Sequence, residues 1–180
     1  MKWISLFLIF MLSGCSSDPD TSQAKPYQLN KIEDSSYPGR VRYSVSISSS
    51  EVTTHEEFAQ TAIRAALNVQ RSKNADVVWV YLEPSEAVAG YGLAYAIANY
   101  SPDGGGNDGS QGWTWEVSAA EKLIPEIELM VVEEWREHRG KFQVNGLTDE
   151  PALKAYLSKK LDISVQDIGL PWVNRRDYPM

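Results

Sequence analysis

Residues 40–85, RVRYSVSISSSEVTTHEEFAQTAIRAALNVQRSKNADVVWVYLEPS, decide the fold, because the spacing of apolar side chains changes twice along them. Apolar and polar residues alternate over residues 41–48, which is the period of a strand with one buried face. Apolar residues then recur at helical spacing over residues 58–69, and the run VVWVYL at 77–82 suits a strand covered on both faces. A helix between two strands favours a right-handed crossover that makes the strands parallel. The stretch therefore predicts a β-α-β unit.

The predicted helix has a start signal and a stop signal. A capping box, in which a hydroxyl and a carboxylate accept hydrogen bonds from free backbone N–H groups, marks a helix start. Two pairs match it, Thr53 with Glu56 and Thr54 with Glu57. Asn74 suits the end of the helix, because asparagine tolerates the left-handed backbone that often follows a last turn.

The C-terminal half of the chain predicts further strands and helices. Residues 90–100 alternate large and small side chains, and residues 113–117 alternate apolar and polar ones, as strands do. Ser118 with Glu121 forms a second capping signature for a long helix. Pro125 either kinks this helix or lies near its start, because proline lacks a backbone donor and crowds the preceding turn.

These patterns predict one α/β (α+β) domain at residues 40–174. A further helix is expected to start at residues 148–151, where the proline suits a first turn. The domain would contain a mixed sheet of about four strands, built on the β-α-β unit and covered by two or three helices. Residues 175–180 are expected to form a loose tail.

Residues 1–15, MKWISLFLIFMLSGC, have the pattern of a targeting segment. Lys2 precedes an apolar stretch that is too short for a permanent membrane span. The tetrapeptide Leu12-Ser13-Gly14-Cys15 resembles the lipobox of bacterial lipoproteins. That resemblance implies that residues 1–14 are a signal peptide and that the mature chain begins at a lipidated Cys15. The alternative is an ordinary signal peptide with an accidental cysteine.

The lipobox resemblance also implies a location. Lipid on Cys15 would hold the protein on a membrane of the cell envelope, since several acyl chains anchor stably where one chain is marginal. Ser16 directly after the cysteine implies the outer membrane, facing the periplasm, in a Gram-negative cell. Residues 15–39 are expected to be a flexible linker because they are rich in polar residues and proline and show no sustained period. Within it, residues 27–29 could dock on the edge of the domain.

Composition argues against several kinds of function. The formal net charge of −7 disfavours nonspecific nucleic-acid binding, which requires a cationic surface. The chain has one Cys and two His, which disfavours a tetrahedral zinc site. The G-x-S-x-G motif of many serine hydrolases does not occur. No cofactor is predicted.

A glycine-rich segment at residues 101–112, SPDGGGNDGSQG, predicts a flexible hairpin connection. It contains G-x-G-x-x-G, but a strand rather than a helix is predicted after it, so no pyrophosphate site is expected. A weaker alternative is a cation site, for example for Ca²⁺, with oxygen ligands from Asp103, Asn107 and Asp108.

Four aromatic residues are the candidate platform for sugar rings or a partner peptide: Tyr91, Tyr95, Trp113 and Trp115. The alternative is a place in the core, which is common for Tyr and Trp at strand spacing. The glutamates of residues 126–137 invite a catalytic interpretation, since carboxylate pairs carry out hydrolysis. Glutamates interleaved with arginines on one helix, however, typically form a solvated charged face.

Beyond the lipobox, the succession of VRYSVSIS, ADVVWVYL, GYGLAYAIANYSPDGGG and LDISVQDIGLP resembles an uncharacterised domain family of small bacterial proteins. The resemblance implies no activity. The leading hypothesis is a noncatalytic binding or accessory module of the envelope, with another envelope protein or peptidoglycan as its partner. The alternatives are an envelope hydrolase that uses carboxylates or His55, and an acidic inhibitor of cationic envelope-attacking proteins.

Overall fold

The computed structural model describes residues 18–110 and 112–180, and the predictions for residues 1–17, Cys15 included, lie outside this part of the chain. The helices are α1 (His55–Lys73), α2 (Glu126–His138) and α3 (Glu150–Leu161). The strands are β1 (Gln28–Asp34), β2 (Arg42–Ser48), β3 (Val77–Glu83), β4 (Ala96–Tyr100), β5 (Trp115–Ala120), β6 (Gln143–Val144), β7 (Leu147–Thr148) and β8 (Arg175–Asp177). None of the helices described has the length and apolarity that crossing a bilayer requires.

The main sheet of the described residues has six strands in the order β1-β2-β3-β4-β5-β8. Strands β2 and β3 are parallel, on either side of the crossover helix α1, and the remaining pairs are antiparallel. Strands β6 and β7 form a separate small hairpin. The predicted mixed α+β fold with a β-α-β unit is confirmed, but the sheet is larger than the predicted four strands.

Helix α1 covers one face of the sheet. Thr54 and Glu57 form its capping box, and Asn74 ends it in the left-handed conformation, so one of the two predicted pairs and the predicted stop are confirmed. The main core lies between α1 and this face, and its largest fully buried side chains include Phe58, Ile63, Val45, Ile47, Val80 and Leu82. A second, smaller core lies between α2 and α3 and contains Val131, Trp135, Leu153, Leu157 and Ile168.

The opposite face of β3 is less covered than its apolar sequence predicts. Trp79 and Tyr81 are only partly buried, whereas Val78, Val80 and Leu82, on the α1 side, are fully buried. The prediction that β3 is covered on both faces is therefore confirmed on the α1 side and at Val77, but only in part at Trp79 and Tyr81. The partly open face carries the concave site described below.

The N-terminal segment is not the predicted flexible linker from residue 18 onward. The backbone N–H groups of Gln23 and Lys25 donate to two buried polar side chains of α1, Gln60 (2.7 Å) and Thr61 (2.9 Å). Lys25 also pairs with Glu57 at 2.8 Å. Strand β1 then lines the sheet edge beside β2. The sequence of β1 does not predict a strand, because its side chains are mostly polar. An edge strand is held by backbone hydrogen bonds, which do not depend on residue type.

The C-terminal residues are not a loose tail either. Strand β8 pairs with β5, and the backbone N–H of Tyr178 donates to the Val117 carbonyl at 2.8 Å. The Tyr178 hydroxyl accepts a hydrogen bond from Gln60 at 3.1 Å. Strand β8 is short and polar and has no buried face. Its sequence therefore lacks the alternation of apolar and polar residues that predicts a strand.

Helix α2 begins later than its predicted capping signature. Ser118 lies within β5, and α2 starts at Glu126, directly after Pro125. Proline suits this boundary because it has no N–H to leave unpaired in a first turn. The predicted start of α3 is confirmed, with the Asp149 side chain accepting from the Ala152 N–H at 3.1 Å.

Candidate binding site

The glycine-rich loop between β4 and β5 folds around the side chain of Arg40. This guanidinium is only 8% exposed. It donates to both carboxylate oxygens of Asp103 (2.7 and 3.1 Å), to the Ser101 hydroxyl (3.0 Å) and to the Gly106 carbonyl. The Arg40 hydrogen bond and charge hold the pKa of Asp103 well below its usual value. The loop is therefore an ordered shell around an internal cation, not a flexible turn.

This arrangement disfavours the calcium alternative for the loop. Both oxygens of Asp103 bind Arg40, and Asp108 accepts from the backbone and hydroxyl of Ser110 at 2.9 and 2.7 Å. Asn107, the third candidate ligand, also interacts within the chain. A guanidinium thus neutralises one of the two carboxylates that a metal would need, and Ser110 occupies the other. The shell also requires glycine, since a Cβ on Gly105 would lie 2.8 Å from the Gly109 Cα.

The structure does not bring the four predicted platform aromatics together. Tyr95 is buried and stacks on Phe58 with ring centroids 5.0 Å apart. Trp115 stacks on Tyr100 at 4.0 Å, at the opposite end of the β4-β5 pair. Tyr91 lies near Arg136, whose guanidinium is 5.8 Å from its ring centroid. Trp113 is partly buried beside the glycine-rich loop.

The two histidines belong to separate parts of the fold. Nδ1 of His55 lies 3.2 Å from the Ala120 carbonyl oxygen. His138 is 3% exposed and, with Glu134 and Glu137, forms the one group in the described chain with the spacing of metal ligands. The Lys160 ammonium, however, lies 2.9 Å from Nε2 of His138 and 2.5 Å from Glu134. A lysine therefore already provides the positive charge there.

A cavity of about 930 Å³ lies on the partly open face of the sheet. We call it the sheet-face pocket. Ser44, Ser46, Tyr81 and Ile97 belong to its lining from β2, β3 and β4. Its walls come from the loop at residues 86–94 and from two arginines, Arg136 of α2 and Arg175 of β8. The charged residues of its lining are balanced, with three acids and three bases: Glu33, Glu83, Glu86, Lys31, Arg136 and Arg175.

Glu83 is the unusual residue of the sheet-face pocket. It is the last residue of β3 and is only 4% exposed. Its Oε1 accepts from the Gly90 N–H at 3.2 Å, but its buried Oε2 has no hydrogen-bond partner among the residues described. Burial raises the pKa of Glu83, and the Gly90 hydrogen bond and the Arg175 charge oppose this rise only in part. An unpaired buried acceptor is costly and needs an explanation.

Both arginines of the sheet-face pocket are held by backbone carbonyls. Arg175 donates from Nη1 to the Ala94 carbonyl at 2.7 Å, and Arg136 donates to the Ala87 carbonyl. Each guanidinium has five N–H donors, so one such bond leaves most of them available. Glu83 and Arg175 line the same cavity without forming an ion pair with each other.

Replacing Glu83 by glutamine is expected to change how stability depends on pH. Burial raises the folded-state pKa of Glu83 above the usual 4.5, so its protonated form contributes stability at low pH. That contribution is lost as the pH rises through the raised pKa. The wild-type chain should therefore lose stability relative to Glu83→Gln as the pH rises from the usual pKa of 4.5 through the raised pKa, measured by urea denaturation. Glu116→Gln, at an exposed glutamate of β5, is the control, and a Glu83→Gln curve parallel to wild type would contradict the expectation.

The sequence analysis missed Glu83, although one signal was present. Glu83 directly follows the apolar run of β3, at the C-terminal edge of a parallel pair, where open α/β sheets commonly bind ligands. Its partners in the sheet-face pocket, Arg136 and Arg175, lie far along the chain, so no local pattern connects them.

Comparison with known proteins places the chain among domains without an assigned role. A family model described as a domain of unknown function, DUF4875, matches residues 22–173. The crystal structure of a DUF487 family protein from Desulfovibrio piger is similar, with 35% sequence identity, a TM-score of 0.76, and coverage of 88% of this chain and 97% of that one. No curated protein matches. The residues matched by the family model include all of the sheet-face pocket except Arg175.

Proposed function

Since the chain belongs to DUF4875, a family of unknown function, we propose its role from its own features: a lipid-anchored, noncatalytic binding module of the cell envelope. The observation that carries this proposal is the unpaired, buried Oε2 of Glu83 in the lining of the sheet-face pocket. A concave site of several hundred cubic ångströms with a few convergent polar groups is the usual form of a ligand site. A ligand donor would satisfy the oxygen that the protein leaves unpaired.

The envelope location rests on residues 1–15 and their lipobox. In this proposal Cys15 carries the lipid, and the protein faces the periplasm from the outer membrane in a Gram-negative cell. The ligand then comes from that compartment, as part of peptidoglycan, of another envelope protein, or as a free small molecule. The acidic net charge of −7 fits a role that does not involve nucleic acid.

A change that fills the sheet-face pocket tests the proposal. Ser44 lines the cavity on β2, and Ser118 lies on β5 outside it. The full-length chain, purified in detergent, is incubated with the soluble molecules released by digestion of the envelope, and retained molecules are identified by mass spectrometry. We expect wild type and Ser118→Trp to retain a molecule that Ser44→Trp retains at least tenfold less. Circular dichroism confirms that both variants are folded. Retention of nothing by wild type, or equal retention by Ser44→Trp, would contradict the proposal.

The hydrolase alternative has one specific observation in its favour. A carboxyl group whose pKa is raised by burial in a cleft, as at Glu83, is suited to general acid catalysis. His55, the other candidate catalytic group, is not in the lining of the sheet-face pocket and contacts Ala120 instead. Turnover of peptidoglycan or an ester by wild type that Glu83→Gln abolishes would establish the hydrolase and replace the binding module.

The acidic-inhibitor alternative rests on net charge alone. The sheet-face pocket carries as many basic as acidic residues, so it offers a cationic partner no excess of negative charge. Such an inhibitor would bind a cationic protein with an affinity that falls as salt is added.

A further inference from the structure

We infer that the sheet-face pocket recognises a free α-amino acid, with the ligand ammonium at Glu83 and the ligand carboxylate at Arg175. This inference rests on the proposed function of the pocket as a ligand site, and it adds the chemical class of the ligand. It depends on an acid and a base that share one cavity, each with hydrogen-bonding capacity that the protein does not use.

The acidic half of this pair needs a donor. Glu83 is almost completely buried, one of its oxygens binds Gly90, and the other has no partner in the described part of the chain. An ammonium group supplies N–H donors together with a positive charge, and charge-assisted hydrogen bonds are the stronger kind. Oε2 has almost no surface open to solvent in this structure, so the carboxylate has to turn toward the cavity for a ligand to reach it. An ammonium there would satisfy the missing hydrogen bond and compensate the buried charge.

The basic half needs an acceptor. The bond to the Ala94 carbonyl is the one hydrogen bond that the Arg175 side chain makes among the residues described. Its charge acts on Glu83 and favours the ionised carboxylate, although the two groups form no ion pair. A carboxylate can accept from the remaining N–H donors of the guanidinium, and the planar fork of arginine suits such an acceptor.

Together the two halves favour a zwitterion over a simple ion. A ligand with only an amine would leave Arg175 without a partner, and a ligand with only a carboxylate would bring a second negative charge beside Glu83. An α-amino acid carries both groups on one carbon atom, and Glu83 and Arg175 line one cavity, where the charge of Arg175 acts on Glu83. The balanced lining, three acids and three bases, likewise favours a ligand with no net charge.

Calorimetric titration of the full-length chain in detergent tests the inference. The probes are the twenty common amino acids and D-alanine, each alone. The tightest binder is then compared with its decarboxylated amine and its deaminated acid. We expect one or more amino acids to bind, and both analogues to bind at least tenfold more weakly. Glu83→Gln and Arg175→Gln should each weaken amino-acid binding at least tenfold, while Glu116→Gln, outside the pocket lining, should stay within twofold of wild type.

The outcomes separate the inference from the proposed function. Circular dichroism checks each variant, and Arg175→Gln tests the pair if Glu83→Gln does not fold. If no amino acid binds, or if an analogue binds as tightly as its parent, the inference is wrong. If Ser44→Trp nevertheless lowers the retention of an envelope molecule, the pocket remains a ligand site of another chemistry. If Ser44→Trp lowers the retention of no molecule, both statements fail.

Discussion

Replacing Arg40 by methionine is expected to lower the free energy of unfolding by about 2 kcal/mol, because it removes the guanidinium donors of the buried Gly106 carbonyl and of the half-exposed Asp103 carboxylate. Methionine preserves much of the apolar stem of arginine and removes only the guanidinium. That group is the common partner of Asp103, Ser101 and Gly106, so the glycine-rich loop should lose its order with it. Urea denaturation measures the loss of stability, and amide hydrogen exchange over residues 101–113 measures the loss of loop protection.

The matched control for this experiment is Arg71→Met. Arg71 also pairs with an aspartate, Asp18, but both side chains are more than half exposed. Exposed ion pairs contribute about 0–1 kcal/mol, so this variant should remain close to wild type. An Arg40→Met chain as stable as the Arg71→Met chain would show that the buried guanidinium does not organise the loop.

Changing Cys15 to serine is expected to abolish lipidation completely. If Cys15 carries the anchor, the wild-type chain isolated from its own cell should lack residues 1–14 and gain the mass of acyl chains. The Cys15→Ser chain should gain none, because serine has no thiol to acylate. Intact-mass measurement and incorporation of labelled fatty acid check both points, and Ser17→Ala should be modified like wild type. An unmodified wild-type chain would contradict the lipid anchor, while leaving the sheet-face pocket as a separate question.

The central part of the fold was predictable because its signals are local. In three elements the order of apolar residues alone shows which side chains are buried: β2 alternates, α1 has an apolar stripe, and β3 is an apolar run. The edge strands β1 and β8 were missed for the opposite reason, since they bury little and are held by backbone hydrogen bonds. One clue lay in α1, where Gln60 and Thr61 occur on a buried surface and need polar partners.

The candidate site was less predictable than the fold. Tyrosines and tryptophans at strand spacing suggested an aromatic binding platform. The rings that Tyr95 and Trp115 stack on, however, depend on the packing of helices and strands, which residue spacing does not specify. The glycine-rich loop was predicted to be a flexible connection, with a bound cation as the weaker alternative, whereas it is ordered around Arg40, more than sixty residues earlier in the chain. The sheet-face pocket likewise combines β3, α2 and β8. Such long-range pairs become visible only after the chain has folded.

The order of the N-terminal segment has a consequence for how the protein would stand at a membrane. Asp18 pairs with Arg71, near the C-terminal end of α1, and only Ser16 and Ser17 separate it from Cys15. Three residue steps span at most about 11 Å, so acyl chains on Cys15, under the proposed anchor, would keep Asp18 within about that distance of the lipid. The end with Arg71 would face the lipid head groups. Glu83 is at the other end of β3, a strand about 20 Å long, so the sheet-face pocket near it would lie farther from the membrane.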